Sequence, residues 1–175
     1  MDTLEAIHTR RSIRKYESKP VPDELVGKLL AAAMMAPSAR NAQPWQFVVI
    51  TDRQLLQDVP RINRNAWMAA EAPLAILICG DRSLELSPGY WPVDCAAAAQ
   101  NLLLAAHALG LGAVWTGVYP RPERMEGLAR LVGLPENVTA HSLIVVGYPA
   151  EVPASEDRYR PERVYHNRWG KPWSA

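Results

Sequence analysis

Apolar positions along the chain fall into two kinds of run. In "PVPDELVGKLLAAAMMAP", Leu25, Val26, Leu29, Leu30, Ala33 and Met34 recur at helical spacing on one face, which predicts an amphipathic helix. Asp23 is its expected cap and Pro37 its stop. "MDTLEAIHTR" carries Leu4 and Ile7 behind Asp2 or Thr3 as caps, predicting a short helix that ends near Arg10 and Arg11. The second kind of run is short and unbroken. "QFVVIT" and "PLAILICG" predict buried strands, and residues 53–59 and 63–70 predict two short helices around Pro60. "GAVWTGV" reads as a strand, "RPERMEGLARLVGL" as an amphipathic helix, and "AHSLIVVGYP" as a strand closed by Gly147 and Pro149.

"YWPVDCAAAAQNLLLAAHALGLG" is the longest apolar-rich stretch. Gln100, Asn101 and His107 interrupt it, much of the remainder is alanine, and no basic flank follows. A central buried helix is therefore expected, and no membrane span. A helix apolar nearly all round needs cover on every side, so a homodimer is expected to supply part of it. From Ala150 the chain turns polar and Pro-containing yet keeps Tyr159, Tyr165, Trp169 and Trp173. Aromatics of this kind pack onto something. With no repeat or low-complexity tract, the reading is one domain over residues 1–175, with 150–175 as an extended C-terminal arm.

Composition excludes more than it proposes. Nineteen Lys and Arg face eighteen Asp and Glu, so the basic stretch near the N-terminus is local, and a general nucleic-acid binder is not expected. Cys79 and Cys95 sit in apolar surroundings without a CxxC and read as buried thiols of a reducing, cytoplasmic setting. Asp2, Glu5 and the Arg pair interrupt any signal-peptide pattern. His8, His107, His141 and His166 show no metal-ligand spacing, and no Ser/His/Asp arrangement stands out. There is no GxGxxG after a strand and no GxxxxGK[ST], so phosphate binding, if present, needs another site.

"RRSIRKY" is the candidate. Arg10, Arg11 and Ser12 supply guanidinium forks and a hydroxyl suited to a phosphate monoester. In an extended stretch Arg14 lies on the same side as Ser12, free for a second electron-rich group. A solvated basic turn is the competing reading. "APSARNAQPW" joins helix to strand with small and hydrogen-bonding residues that would admit a flat ligand; read alone, it is a helix stop and a turn.

Together with "EAPLAILICG", "AAQNLLLAAHALGLGAVWTG" and "HNRWGKPW", these stretches resemble, in order and over nearly the whole chain, the short single-domain form of the nitroreductase family. The resemblance implies an α+β fold with a central, mostly antiparallel sheet flanked by helices. It also implies a homodimer with FMN at the subunit interface and a C-terminal arm exchanged across it. NADH or NADPH would be the electron donor, and a nitroaromatic, quinone or similar acceptor would take the electrons by a ping-pong mechanism. Relatives that remove halogen or cleave flavin, and a flavin holder without turnover, are the alternatives. No side chain would act as acid or base. Carried onto this chain, Arg10 and Ser12 would hold the phosphate, with Arg11 beside it or the ribityl chain and Arg168 returning to it. Arg14 would approach the flavin N1–O2 edge. Pro37, Ser38, Ala39, Asn41 and Gln43 would line the cofactor, some from the other subunit. Asn65 would sit near the ring's polar edge, and the backbone of Trp115, Thr116 and Gly117 would flank the ring near N5. Trp67, Tyr90 and Trp91 are candidates for stacking on substrate, or for packing alone.

Overall fold

The computed structural model describes residues 1–154 and 156–173. Four strands, β1 (Trp45–Ile50), β2 (Leu74–Asp81), β3 (Gly112–Gly117) and β4 (Val138–Gly147), form one sheet in the order β1-β2-β4-β3. Every pairing is antiparallel. The unbroken apolar runs of β2 and β4 follow from their central places, since helices cover both faces. α2 (Asp23–Met34) and α4 (Trp91–Ala108) pack one face around Leu29, Leu102, Ile76 and Ile144. α3 (Arg53–Ile62) and α5 (Pro122–Val132) cover the other around Leu56, Leu128, Leu77 and Leu143. The short α1 (Thr3–Thr9) lies against α4. This is the expected α+β architecture.

Local chemistry explains most element ends. Asp2 caps α1 by accepting from the Glu5 N–H, and Asp52 caps α3 by accepting from the Gln54 and Leu55 N–H groups. α5 ends on Gly133 at φ 70°. Pro60 lies inside α3, so the helix expected to stop at residue 59 continues to Ile62. The expected cap of α2 is corrected: Asp23 is its first residue, Pro22 holds the cap position, and no side chain caps it. Met34 is corrected too, being 49% exposed while Val26, Leu29 and Ala33 face the core. Leu4 and Ile7 also point outward, leaving Ala6 as the buried residue of α1.

α4 is the central helix, and its interior polar residues bind neighbours. Asp94 accepts from the Ala39 N–H at 2.9 Å, Asn101 donates to the Ala32 carbonyl at 3.1 Å, and His107 meets Thr9 at 2.7 Å. Its cover within the chain is incomplete, for Val93 is exposed and Ala97, Leu104 and Ala108 continue that side without full burial. No helix among the described residues is long and apolar enough to cross a membrane. Cys79 and Cys95 are buried and unbridged, and burial pushes the Cys79 thiol up to about 12. Beyond residue 150 the arm folds mainly on itself: Tyr165 bridges Pro172, Tyr165 stacks near Trp169 at 4.5 Å, and His166 meets Trp173 edge-on at 5.2 Å.

Candidate functional site

The Arg10–Tyr16 segment is laid along the outer edge of β3. Ser12 bridges Ala113, the Ile13 N–H donates to the Ala113 carbonyl at 3.1 Å, and the Tyr16 hydroxyl donates toward the Ile13 and Val145 carbonyls. Close approach is possible because position 112 is glycine, where a Cβ would fall 2.7 Å from Ile13 Cγ2. Beyond Ala113 no strand among the described residues pairs with this edge. The Ala113 and Gly117 carbonyls both point away from β4, so strand alternation puts the Trp115 N–H on that edge as well.

That unpaired edge forms one wall of a cavity of about 430 Å³ lined by Arg14, Arg64, Asn65, Trp67 and Val114 through Gly117. Six candidates from the sequence, Arg14, Asn65, Trp67, Trp115, Thr116 and Gly117, thus come together from three separate parts of the chain. The Thr116 hydroxyl is taken up by the Leu143 carbonyl at 2.9 Å, which leaves main-chain groups as the hydrogen-bonding capacity there. Asn63, which the sequence did not single out, connects two walls. It is buried, accepts from the Asn65 N–H at 3.2 Å, and donates to the Gly117 carbonyl at 3.2 Å. Arg124 donates to the same carbonyl at 2.8 Å. The available signal was an Asn ahead of a short helix, here the 3-10 turn Arg64–Ala70 that it caps.

Upstream of Arg14 positive charge is concentrated. Burial, then repulsion from Arg158 and Arg11, holds the Arg10 guanidinium below its ordinary value. Burial and the same Arg10 and Arg11 lower His107. Thr9 gives its one proton to the Glu5 carbonyl, so its oxygen accepts from the His107 Nε2–H. Arg11 faces away from the larger cavity, donating to the carbonyls of His8, Arg10, Ala154 and Glu156 at 2.7–3.3 Å. It thereby ties the arm to α1, beside a cavity of about 290 Å³ with Thr9, His107 and Glu151. The Glu151 carboxylate accepts from the Arg14 and Lys15 N–H groups at 2.6 and 3.1 Å. Arg158 and Glu151 carried no sequence signal, because only folding returns the arm to this segment.

The other candidates form a separate group. Pro37, Ser38 and Ala39 line a shallow pocket with Tyr90, Val93, Asp94 and Ala97. Ser38 Oγ accepts from the Gln43 N–H at 3.0 Å, and the Gln43 amide donates to Asn41 Oδ1 at 2.9 Å. Arg40, Asn41 and Gln43 all have positive φ, at 53°, 57° and 49°, a conformation that costs roughly 1 kcal/mol or more per non-glycine residue and concentrates at ligand-holding loops. Asp94 holds this loop through Ala39. Arg168 has main-chain contacts inside the arm, donating to the His166 carbonyl and accepting from the Lys171 N–H. Within one chain the first group, the loop group and Arg168 stay apart.

Of the aromatic candidates, Trp91 is buried on Gly80, where a Cβ would meet its ring at 2.3 Å, and is core. Trp67, 46% exposed, lines the larger cavity, and Tyr90 the shallow one. Trp115 packs edge-on against His141 at 5.7 Å, which in turn stacks on Tyr119. No group of His, Cys, Asp and Glu among the described residues could hold a metal ion.

Comparison with known proteins agrees with this geometry. The family model described as Nitroreductase family matches residues 7–84 and 63–148. An NADH dehydrogenase/NAD(P)H nitroreductase of Methanothermobacter thermautotrophicus is 52% identical, over 97% of this chain and 88% of its own. The crystal structure of a protein so described from Parabacteroides distasonis superposes with a TM-score of 0.92 at 43% identity, covering 95% of this chain and 98% of that one. A nitroreductase from Desulfovibrio desulfuricans, solved in complex with FMN, gives a TM-score of 0.83 at 34% identity, covering 97% and 98%. With an all-antiparallel sheet flanked on both faces, a basic segment on its β3 edge and these matches along nearly its full length, the chain belongs to the nitroreductase family.

Proposed function

We propose that this protein is an FMN-dependent oxidoreductase that takes electrons from NADH or NADPH and gives them to a nitroaromatic, quinone or similar acceptor. The observation that carries the reading is the gathering of Arg14, Asn65 and the unpaired strand edge Trp115–Gly117 in one cavity, a few residues along the chain from Arg10, whose guanidinium is repelled by Arg158 and Arg11. The residues present fit FMN. A dianionic phosphate would relieve the repulsion among Arg10, Arg11 and Arg158, with the Ser12 hydroxyl as a further partner. A flat polar ring suits a cavity lined by main-chain groups, an amide and a guanidinium. Bound FMN supplies two-electron chemistry.

This chain's residues orient and tune. Arg14, whose side chain has no hydrogen bond or ion pair among the described residues, places fixed positive charge in the cavity and favours the more negative, reduced cofactor. Asn63 holds Asn65 and Gly117 in register, so their polar groups need no reorganisation when a ligand arrives. Donor and acceptor share one cavity and must alternate, a ping-pong order. The loop Pro37–Gln43 and Arg168 complete the site from a second copy. Two features support the dimer: the uncovered side of α4 near exposed Met34 and Met35, and an arm whose Trp169 finds no core in its own chain.

Anaerobic titration tests the reading. The purified protein should carry a yellow flavin spectrum that NADH or NADPH bleaches and a quinone or nitroaromatic restores. A protein that takes up no FMN, or a flavin colour that persists under both donors, overturns it.

A further inference from the structure

The cavity holds a second arginine to which the FMN reading gives no role. Arg64 lines it with Arg14, and no Asp or Glu does. Other arginines of the chain have partners: Arg61 pairs with Asp58 at 2.6 Å, Arg53 donates to the Ala72 carbonyl at 2.7 Å, and Arg124 to the Gly117 carbonyl at 2.8 Å. The Arg64 guanidinium has neither hydrogen bond nor ion pair among the described residues. Its backbone is fixed, because the turn Arg64–Ala70 is capped by buried Asn63, itself bonded to Gly117. Three residues along the same turn, Trp67 lines the cavity with its indole half exposed.

An unpaired guanidinium beside an exposed indole, in a cavity without acids, matches one class of ligand. The indole face takes a flat ring, and the planar fork takes a carboxylate or sulfonate on that ring. On the FMN reading the Arg10 cluster takes the phosphate and Arg14 the ring edge, which leaves Arg64 without a role toward the cofactor. We propose that Arg64, with Trp67, selects aromatic electron acceptors that carry an anionic group over neutral or cationic ones. The inference rests on the FMN reading of the same cavity.

The test is equilibrium binding of two unreactive isosteres, benzoate and benzamide, to the FMN-loaded protein, followed by tryptophan fluorescence and flavin absorbance. Wild type should prefer benzoate by roughly tenfold or more, as one charge-assisted pair implies. Salt should shrink the preference. It should vanish in Arg64→Ala and Arg64→Glu and return in part in Arg64→Lys, which keeps the charge without the fork. The ratio of kcat/KM for 4-nitrobenzoate over 4-nitrobenzamide should move in parallel. Equal binding of the two probes by wild type, or a benzoate preference that survives Arg64→Glu, overturns the proposal. So does an effect confined to the KM of NADH or NADPH, which would give Arg64 to the donor. FMN content, read in each sample, separates the two readings: a flavin-loaded wild type without the preference refutes anion selection alone, and a protein that takes up no FMN refutes both.

Discussion

His141 owes its environment to one extra residue in β4. The register runs Ile78 to Ser142 and then Cys79 to Ala140, so His141 is the bulged residue between them. The bulge turns its ring among Trp91, Tyr119 and Trp115 and leaves it 5% exposed. Burial lowers its pKa to about 4 from 6.5, against a smaller opposing pull from a hydrogen bond to Pro92. On unfolding the ring regains its ordinary value, so the unfolded chain takes up the proton first. The contribution of neutral His141 is complete above about pH 6.5 and is lost as pH falls toward 4, by about 1.4 kcal/mol per pH unit. Urea unfolding of His141→Asn between pH 7.5 and 4.5 should show lower stability at pH 7.5 and a slope shallower by up to one proton. Parallel slopes for variant and wild type would refute this.

Two glycines show that an element's neighbours decide what one methyl group does. At Gly27, inside α2, a Cβ meets nothing within 4 Å, so Gly27→Ala should stabilise by about 0.5–1 kcal/mol through lower unfolded-state entropy. At Gly112, on β3, the same methyl lies 2.7–3.0 Å from Ile13 atoms and cannot fit unless the Arg10–Tyr16 segment moves. Gly112→Ala should cost about 1–3 kcal/mol as overpacking and also weaken FMN retention, since Arg10, Ser12 and Arg14 travel with Ile13. Denaturant midpoints and flavin absorbance after dialysis check both. Unchanged retention in Gly112→Ala would separate the segment from the cofactor. In sequence, Val26-Gly27-Lys28 and Leu111-Gly112-Ala113 carry no sign of this difference, which is one of long-range contact.

For the molecule as a whole, the incompletely covered side of α4 and the placing of the candidate residues in two separate cavities bear on assembly. If a second copy covers that side and joins the two groups, truncation before Val164 should remove both dimer and flavin, because it deletes Arg168 and the arm's Tyr165, Trp169 and Trp173 together. Light scattering and flavin absorbance on the truncated protein decide it. A soluble yellow monomer would contradict the exchanged arm, and a colourless dimer would leave the arm as a cofactor element alone.

The sequence by itself determined the elements and their order, because apolar periodicity, caps and turn residues are local: Asp2, Asp52 and Gly133 act within a few residues of where they stand. It also determined the family, since "RRSIRKY", "PSARNAQPW" and "HNRWGKPW" are short motifs in fixed order. Local spacing misplaced Met34, for the face a helix buries is set by what packs on it, and α4 lies on the side of Leu29 and Ala33. Only the tertiary structure decided that Arg14, Arg64, Asn65 and Trp115 share one cavity, that Asn63 joins its walls, and that Arg11 holds the arm. Those facts depend on a parallel bridge from Ser12 to Ala113 and on a strand order that leaves β3 at the edge. The physical reason is range: hydrogen-bond partners a hundred residues apart leave no period in the chain, and only packing the two faces of the sheet brings them within reach.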